Sequence, residues 1–164
     1  MWTDPKPKIK SLEELKAIVA EARLLGRTIV LANGCFDLIH AGHIRYLKSA
    51  KTLGDVLILG LNTDAGVTAL KGKGRPLQSE ADRAEILASL DCVDYVLLFD
   101  APTVDGILRE LRPEVHAKGT DYTEESVPER ETVRAYGGRV AIVGDPKEHA
   151  TRNLIQTILS KSRS

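Results

Sequence analysis

Cysteine is scarce in this chain. Only Cys35 and Cys92 occur among 164 residues, and neither lies in a C-x-x-C pair. That leaves no disulfide framework, and both read as reduced thiols. An excess of charge is also missing: 23 Lys and Arg against 23 Asp and Glu give a formal net charge of zero. No overall field therefore draws the chain to nucleic acid or to an anionic membrane. No apolar run is long enough to span a bilayer, and the start lacks the apolar segment of a signal peptide. The expected setting is the cytoplasm. Internal repeats and linkers are missing too. A single domain is expected, with an N-terminal arm and helix over 1–27 packed on a body over 28–164. With 43% apolar and 28% charged residues, that length suffices for a proper core.

What is present is an alternation of strands and helices. Met1–Lys10 is polar with two prolines and reads as a loose arm. Ser11-x-x-Glu14 reads as a capping box opening a helix to about Leu25, with Leu12, Leu15, Ile18, Val19 and Ala22 on one face and Gly26 at its end. Buried strands are expected at Ile29–Ala32, Val56–Leu61, Val93–Phe99, Pro113–Ala117 and Arg139–Val143. Helices are expected from Ala41 to about Leu53, Ala65–Leu70, Ser79–Leu90, Val104–Leu111, Thr123–Tyr136 and Thr151–Leu159. In Ser79–Leu90, Ile86, Leu87 and Leu90 are the apolar positions. Five strands alternating with helices argue for an α/β fold with a parallel sheet and right-handed crossovers.

The chain is organised around Thr28–His43, TIVLANGCFDLIHAGH. A buried strand stops at Asn33-Gly34 and runs through Phe36 and Leu38-Ile39 into a helix start at His40-Ala41-Gly42-His43. His40 and His43 are three apart, so both rings can share one side near the helix N-terminus. That end carries free N–H groups and partial positive charge, which suit phosphate. Ala41 and Gly42 let a ligand approach the backbone. Two plain histidines at a helix start are the ordinary alternative. Zinc needs third and fourth ligands, and His116 and His149 are remote in sequence.

Further polar groups follow other strands. Asn62-Thr63-Asp64 ends the second; Asp64 is either a ligand group or a helix cap. Lys71-Gly-Lys-Gly-Arg75-Pro76 is a mobile basic loop, suited to phosphate or simply solvated. Lys118–Tyr122 and His149–Arg152 follow the fourth and fifth strands. In a parallel sheet all four groups meet along one edge, which argues for a single site.

Gly34-x-Phe36-Asp37-x-x-His40-x-Gly42-His43 resembles the signature of the cytidylyltransferase-like nucleotidyltransferases. Their fold is a Rossmann-like three-layer αβα sandwich with a five-stranded parallel sheet, and they transfer NMP from an NTP to a phosphate or phosphorylated alcohol. More narrowly, Lys71-Gly-x-x-Arg75-Pro76, Glu80-x-Asp82-Arg83, Val93-Asp94-Tyr95-Val96, Lys118-Gly119-x-Asp121-Tyr122 and Gly137-Gly138 resemble the adenylyltransferase module of bacterial heptose biosynthesis, in its stand-alone form. That family joins ATP and D-glycero-β-D-manno-heptose 1-phosphate into ADP-heptose and pyrophosphate.

The resemblance implies roles. His40, His43 and Lys71 would be catalytic. Asn33, Gly34, Cys35, Phe36, Gly42, Asn62, Asp64, Lys118, Thr151 and Arg152 would join His43 around the nucleotide. Lys51, Arg75, Asp121 and Tyr122 would serve the sugar phosphate, with Lys118 a second candidate for its phosphate. Asp37 reads as structural, accepting hydrogen bonds from loop amides. Cys35 needs no nucleophilic role, because this transfer forms no covalent intermediate. Mg²⁺ is expected with ATP, held through phosphate oxygens, and the assembly implied is a homodimer. The family's last helix opens with Ser-Thr-Thr, where this chain has Ala150-Thr151-Arg152. Arg152 then either supplies a charged phosphate contact or is a solvated first-turn residue. Alternatives are a cytidylyltransferase acting on glycerol 3-phosphate or another small phosphorylated alcohol, and a nucleotide-binding protein without turnover.

Overall fold

The computed structural model describes residues 4–146 and 150–162. Its elements run α1 (Leu12–Leu24), β1 (Ile29–Gly34), α2 (Ala41–Lys51), β2 (Val56–Asn62), α3 (Asp64–Lys71), α4 (Glu80–Ala88), β3 (Tyr95–Phe99), α5 (Asp105–Leu111), β4 (Val115–Gly119), α6 (Arg130–Ala135), β5 (Arg139–Val143) and α7 (Thr151–Lys161). All strand pairs are parallel, in the order β3-β2-β1-β4-β5. This is the Rossmann-like α/β arrangement expected.

The central strands alternate their side chains between two faces, as a pleated strand must. On one face Val30, Ala32, Leu57, Leu59 and Val96 pack with Leu47 and Ala50 of α2 and with Ala84, Leu87 and Ala88 of α4. On the other, Ile29, Leu31, Ile58 and Leu97 pack with Leu15, Val19 and Ala22 of α1, with Leu108 and Leu111 of α5, and with Val133 of α6. Both faces of β1 and β2 are covered, which is why these strands read as continuous apolar runs. Ser11 and Glu14 form the expected capping box, at 3.2 and 2.8 Å.

The strand order places the site. From β1 the chain steps outward through β2 to β3, then returns to the other side of β1 with β4. The reversal lies between β1 and β4, and open α/β sheets leave a crevice beyond the strand ends at such a point. Register pairs Val30 with Val115 and Leu31 with His116. Asn33-Gly34 and Lys118-Gly119 therefore end side by side at the reversal.

Some expectations change. Within the arm, residues 1–3 lie outside the described residues, but 4–10 are docked, not loose. Ile9 bridges Val96 in parallel, the Lys10 N–H donates to the Val96 carbonyl at 2.9 Å, and Lys8 Nζ donates to the carbonyls of Leu90 and Val93 at 3.2 and 2.9 Å. The helix expected over 123–136 forms only at Arg130–Ala135. Pro128 has no N–H to give and its ring disfavours helical backbone at Val127. Thr123 and Ser126 instead close a turn on one another, Ser126 N–H to Thr123 carbonyl at 3.0 Å and Thr123 N–H to Ser126 Oγ at 2.9 Å. β4 runs two residues past the expected Ala117, so Lys118 is a strand residue. In α4, Ile86 is 38% exposed, and Arg83 and Ala84 join Leu87 on the buried face.

Candidate active site

A cleft of about 870 Å³ opens at the reversal point. β1 and its loop contribute Asn33, Gly34, Cys35 and Phe36; α2 contributes Gly42 and His43, preceded by His40. From the β2 side come Asn62, Lys71 and Arg75. β4 and the segment after it bring Lys118, Asp121 and Tyr122, and the start of α7 brings Thr151 and Arg152. These expected residues thus line one cavity. His149 lies outside the described residues.

The two histidines are organised by the helix start. Their rings stack with centroids 3.9 Å apart, and His43 also leans on the Phe36 ring at 5.0 Å. Phe36 is buried in a left-handed backbone conformation (φ 47°), a state costly for a bulky residue and common at ligand sites. Gly34 makes room for it: a Cβ there would come within 2.8 Å of the Phe36 ring. The His40 backbone N–H donates to His43 Nδ1 at 3.4 Å. In the neutral ring that leaves the proton on Nε2, making His43 a hydrogen-bond donor on its far side.

Two helix N-termini converge here. α2 begins at Ala41 and α7 at Thr151. Thr151 Oγ1 donates to the Leu38 carbonyl at 3.2 Å, which ties the start of α7 to the loop entering α2. Ala150 supplies no side-chain cap, so the first-turn amides of α7 are left for an anion or water. Among the described residues, neither Lys71 nor Arg152 has an acidic side chain within ion-pair distance. Other cleft cations are partnered: Arg45 with Asp145 at 3.0 Å, Arg75 with Asp37, and Lys118 with Glu129 at 3.7 Å. The cavity is therefore built for a polyanion.

Asp37 is structural, as its position in the motif suggested. Its carboxylate accepts from Arg75 Nε, Leu77 N–H and Gln78 N–H. Burial pushes this carboxyl up, and those three donors more than offset it, so it sits below the usual range. Arg75 is consequently a tether for the basic loop as well as a cleft-lining cation. Burial pushes the Cys35 thiol up, against the thiolate a nucleophile needs. Lys118 is lowered by burial, partly countered by Glu129.

Two expected residues are not brought to the cleft. Lys51 sits at the C-terminal end of α2, the opposite edge of the sheet, where Nζ donates to Asp94 Oδ2 and the Asp55 carbonyl, both at 2.5 Å. Lys51 follows His43 by eight positions, about 12 Å of helix rise, which carries it away from the cleft-lining end of α2. Asp64 does not line the cleft, and it is not the cap. The cap of α3 is Thr63, whose Oγ1 accepts from Gly66 N–H at 3.1 Å. Asp64 instead pairs at 2.8 Å with Arg83, a wholly buried guanidinium that also donates to the carbonyls of Cys35, Asn62 and Gln78.

Glu129 and Thr103 escaped the sequence reading, whereas Tyr46 has a helix position from which it could reach solvent or the site. Glu129 lines the cleft and is buried, but it was hidden inside a helix that does not extend that far. Thr103 lines it beyond β3; the rule that ligands gather past strand ends points to that turn. Tyr46 donates its hydroxyl to the Ala117 carbonyl at 2.7 Å and fixes α2 against β4.

The model of the cytidylyltransferase-like family matches residues 31–162. The chain belongs to the cytidylyltransferase-like family. Among curated relatives, the bifunctional protein HldE of Geobacter metallireducens is 50% identical over 157 residues, covering 96% of this chain and 32% of the relative. HldE of Pelobacter propionicus is 48% identical over 159 residues, covering 97% and 33%. The chain thus spans about a third of the length of these relatives. Among solved structures, the lipopolysaccharide core biosynthesis protein of Thermoplasma volcanium is 30% identical with a TM-score of 0.60, covering 72% of this chain and 95% of that one. The matched residues include the stacked histidines and both helix starts that border the cleft at the reversal point. No helix among the described residues is long and apolar enough to cross a membrane.

Proposed function

We propose that this domain is a nucleotidyltransferase that moves AMP from ATP to D-glycero-β-D-manno-heptose 1-phosphate, releasing ADP-heptose and pyrophosphate. The observation that carries the reading is the stacked His40–His43 pair at the start of α2, with Nε2–H of His43 as donor, on a cleft lined by Lys71 and Arg152. The HldE relatives and the lipopolysaccharide-related structure support the choice of acceptor.

An oxygen of the sugar phosphate attacks the α-phosphorus in line. The bond from that phosphorus to the bridging oxygen breaks, and pyrophosphate leaves with the electron pair. The acceptor is already ionised at neutral pH, so no strong general base is needed. The protein's work is positioning and charge stabilisation. His43, with His40 stacked on it, donates to phosphate oxygens where negative charge grows. Lys71, Arg152 and the first amides of α2 and α7 hold the triphosphate. Asp121 and Tyr122 face the sugar or ribose hydroxyls. ATP enters as its magnesium complex. The ion would come in with the nucleotide and would neutralise phosphate charge. The cytoplasm and a homodimer complete the reading; light scattering of the purified protein checks the second.

The test is pyrophosphate release with MgATP and the heptose phosphate. Turnover with ATP and this sugar is the expected result. Turnover only with CTP and glycerol 3-phosphate would replace the substrate, and nucleotide binding without turnover on any acceptor would remove the enzyme.

A further inference from the structure

A buried polar cluster lies beneath the cleft, where β1 and β4 meet at the reversal point. His116 is wholly buried, and its Nε2 lies 3.1 Å from Asn33 Oδ1. Lys118 Nζ donates to the same oxygen at 3.3 Å. An ammonium has only donors, so the atom facing it is the amide oxygen and the orientation of Asn33 is fixed. His116 then has to donate too, which places its proton on Nε2. The ring stays neutral, because burial and the Lys118 charge lower its pKa to about 3. Its Nδ1 is buried and accepts no hydrogen bond from the described residues.

That arrangement is odd for a purely structural position. A buried, unsatisfied nitrogen is unfavourable, and an aliphatic side chain of similar size would avoid it. What the histidine does supply is direction. Both groups holding Asn33 Oδ1 come from β4, so the amide NH₂ turns away from that strand. Asn33 lines the cleft, and its Nδ2 has no acceptor among the described residues.

We propose that His116 is a positioning residue: with Lys118 it locks the Asn33 amide so that its NH₂ donates to a phosphate oxygen of the acceptor. The inference rests on the nucleotidyl-transfer reading and names one phosphate subsite within it. Asn33 Nδ2 and Lys118 Nζ form the two donors of that subsite. The Lys118 ammonium lies 4.6 Å above the Tyr122 ring and 3.7 Å from Glu129, so its charge is held in place but not fully spent on one close ion pair. A neutral amide donor beside it gives direction that a mobile ammonium alone lacks.

The experiment compares His116→Leu with His116→Gln, whose amide can again offer a donor near the Nε2 position. The leucine variant is expected to keep or raise the Tm and to lose about tenfold in kcat/KM, mainly through KM for the sugar phosphate, as removal of one oriented donor predicts. The glutamine variant is expected to recover most of that loss. Wild-type kinetics in the leucine variant, or a loss that follows a falling Tm and is not recovered by glutamine, would overturn the proposal. A second arm needs no turnover. The Asn33 side-chain amide is followed by ¹⁵N NMR, assigned by its disappearance in Asn33→Asp, while inorganic phosphate is added. The signal should shift in the wild type and not in His116→Leu; no shift in the wild type, or equal shifts in both, would overturn it. If the wild type releases no pyrophosphate, the functional reading falls and this arm alone decides the role of His116.

Discussion

Asp37 and Arg75 are joined beside the cleft, Nε to Oδ2 at 2.5 Å, with the aspartate side chain 1% exposed. One carboxylate therefore anchors the loop after α3 to the loop after β1. Asp37→Ala removes the buried acceptor of three donors and should cost about 2–4 kcal/mol. Thermal denaturation should show a lower Tm, and hydrogen exchange should rise first over residues 72–78. Because the folded pKa of Asp37 is depressed, its contribution is present above the unfolded carboxylate value and is lost as pH falls through the folded one.

His43→Ala removes the Nε2–H donor while leaving the α2 amides. Turnover should drop about a hundredfold, roughly 3 kcal/mol of transition-state stabilisation, with a smaller change in KM for ATP. Single-turnover kinetics on folded variant protein would check it. Near wild-type turnover would remove His43 from the chemistry.

Arg83 holds three backbone carbonyls and Asp64 from a wholly buried position. Arg83→Ala would leave those carbonyls unsatisfied and should destabilise by roughly 3–5 kcal/mol. Urea denaturation should show it, with Arg83→Lys intermediate because an ammonium cannot fork to as many oxygens.

His116 makes the fold acid-sensitive. Its folded pKa is lowered from 6.5 to about 3, so between those values the unfolded chain binds a proton that the native state refuses. Stability should fall as pH drops through that window, by up to ~1.4 kcal/mol per unit from this residue. Urea titrations from pH 7 to pH 4 should show a shallower decline in His116→Leu than in the wild type.

Lys51→Met tests the displaced candidate. Its partner Asp94 is a third exposed, and such pairs are worth about 0.5–1 kcal/mol. A small fall in Tm with unchanged KM for the sugar phosphate is the expected outcome; a raised KM would return Lys51 to the site.

The fold was largely legible because the strongest signals are local. Apolar runs marked the buried strands, and Ser11–Glu14 and Gly26 bounded α1. The cleft was legible where residues follow strand ends in sequence, as at Asn33–His43 and Lys118–Tyr122. Errors arose where the deciding contact is distant or steric. Lys51 matches a motif, but helix length carries it to the far edge of the sheet. Asp64 looked like a cap until Thr63 supplied one and Arg83 claimed the carboxylate. Glu129 was masked by an overextended helix that Pro128 forbids. The His116–Asn33 contact joins residues 83 apart, and only the β1–β4 register brings them together.

The docking of Ile9 and Lys10 on Val96 bears on behaviour at high concentration. β3 is the outermost strand on its side, and a bare outer strand offers unpaired amides and carbonyls to any neighbouring chain. The preceding segment occupies part of that row, and the Lys8 ammonium takes two carbonyls just before it. The few residues before α1 thus act as a guard against sheet-to-sheet adhesion, and shortening the chain there would trade a tidy terminus for a tendency to precipitate.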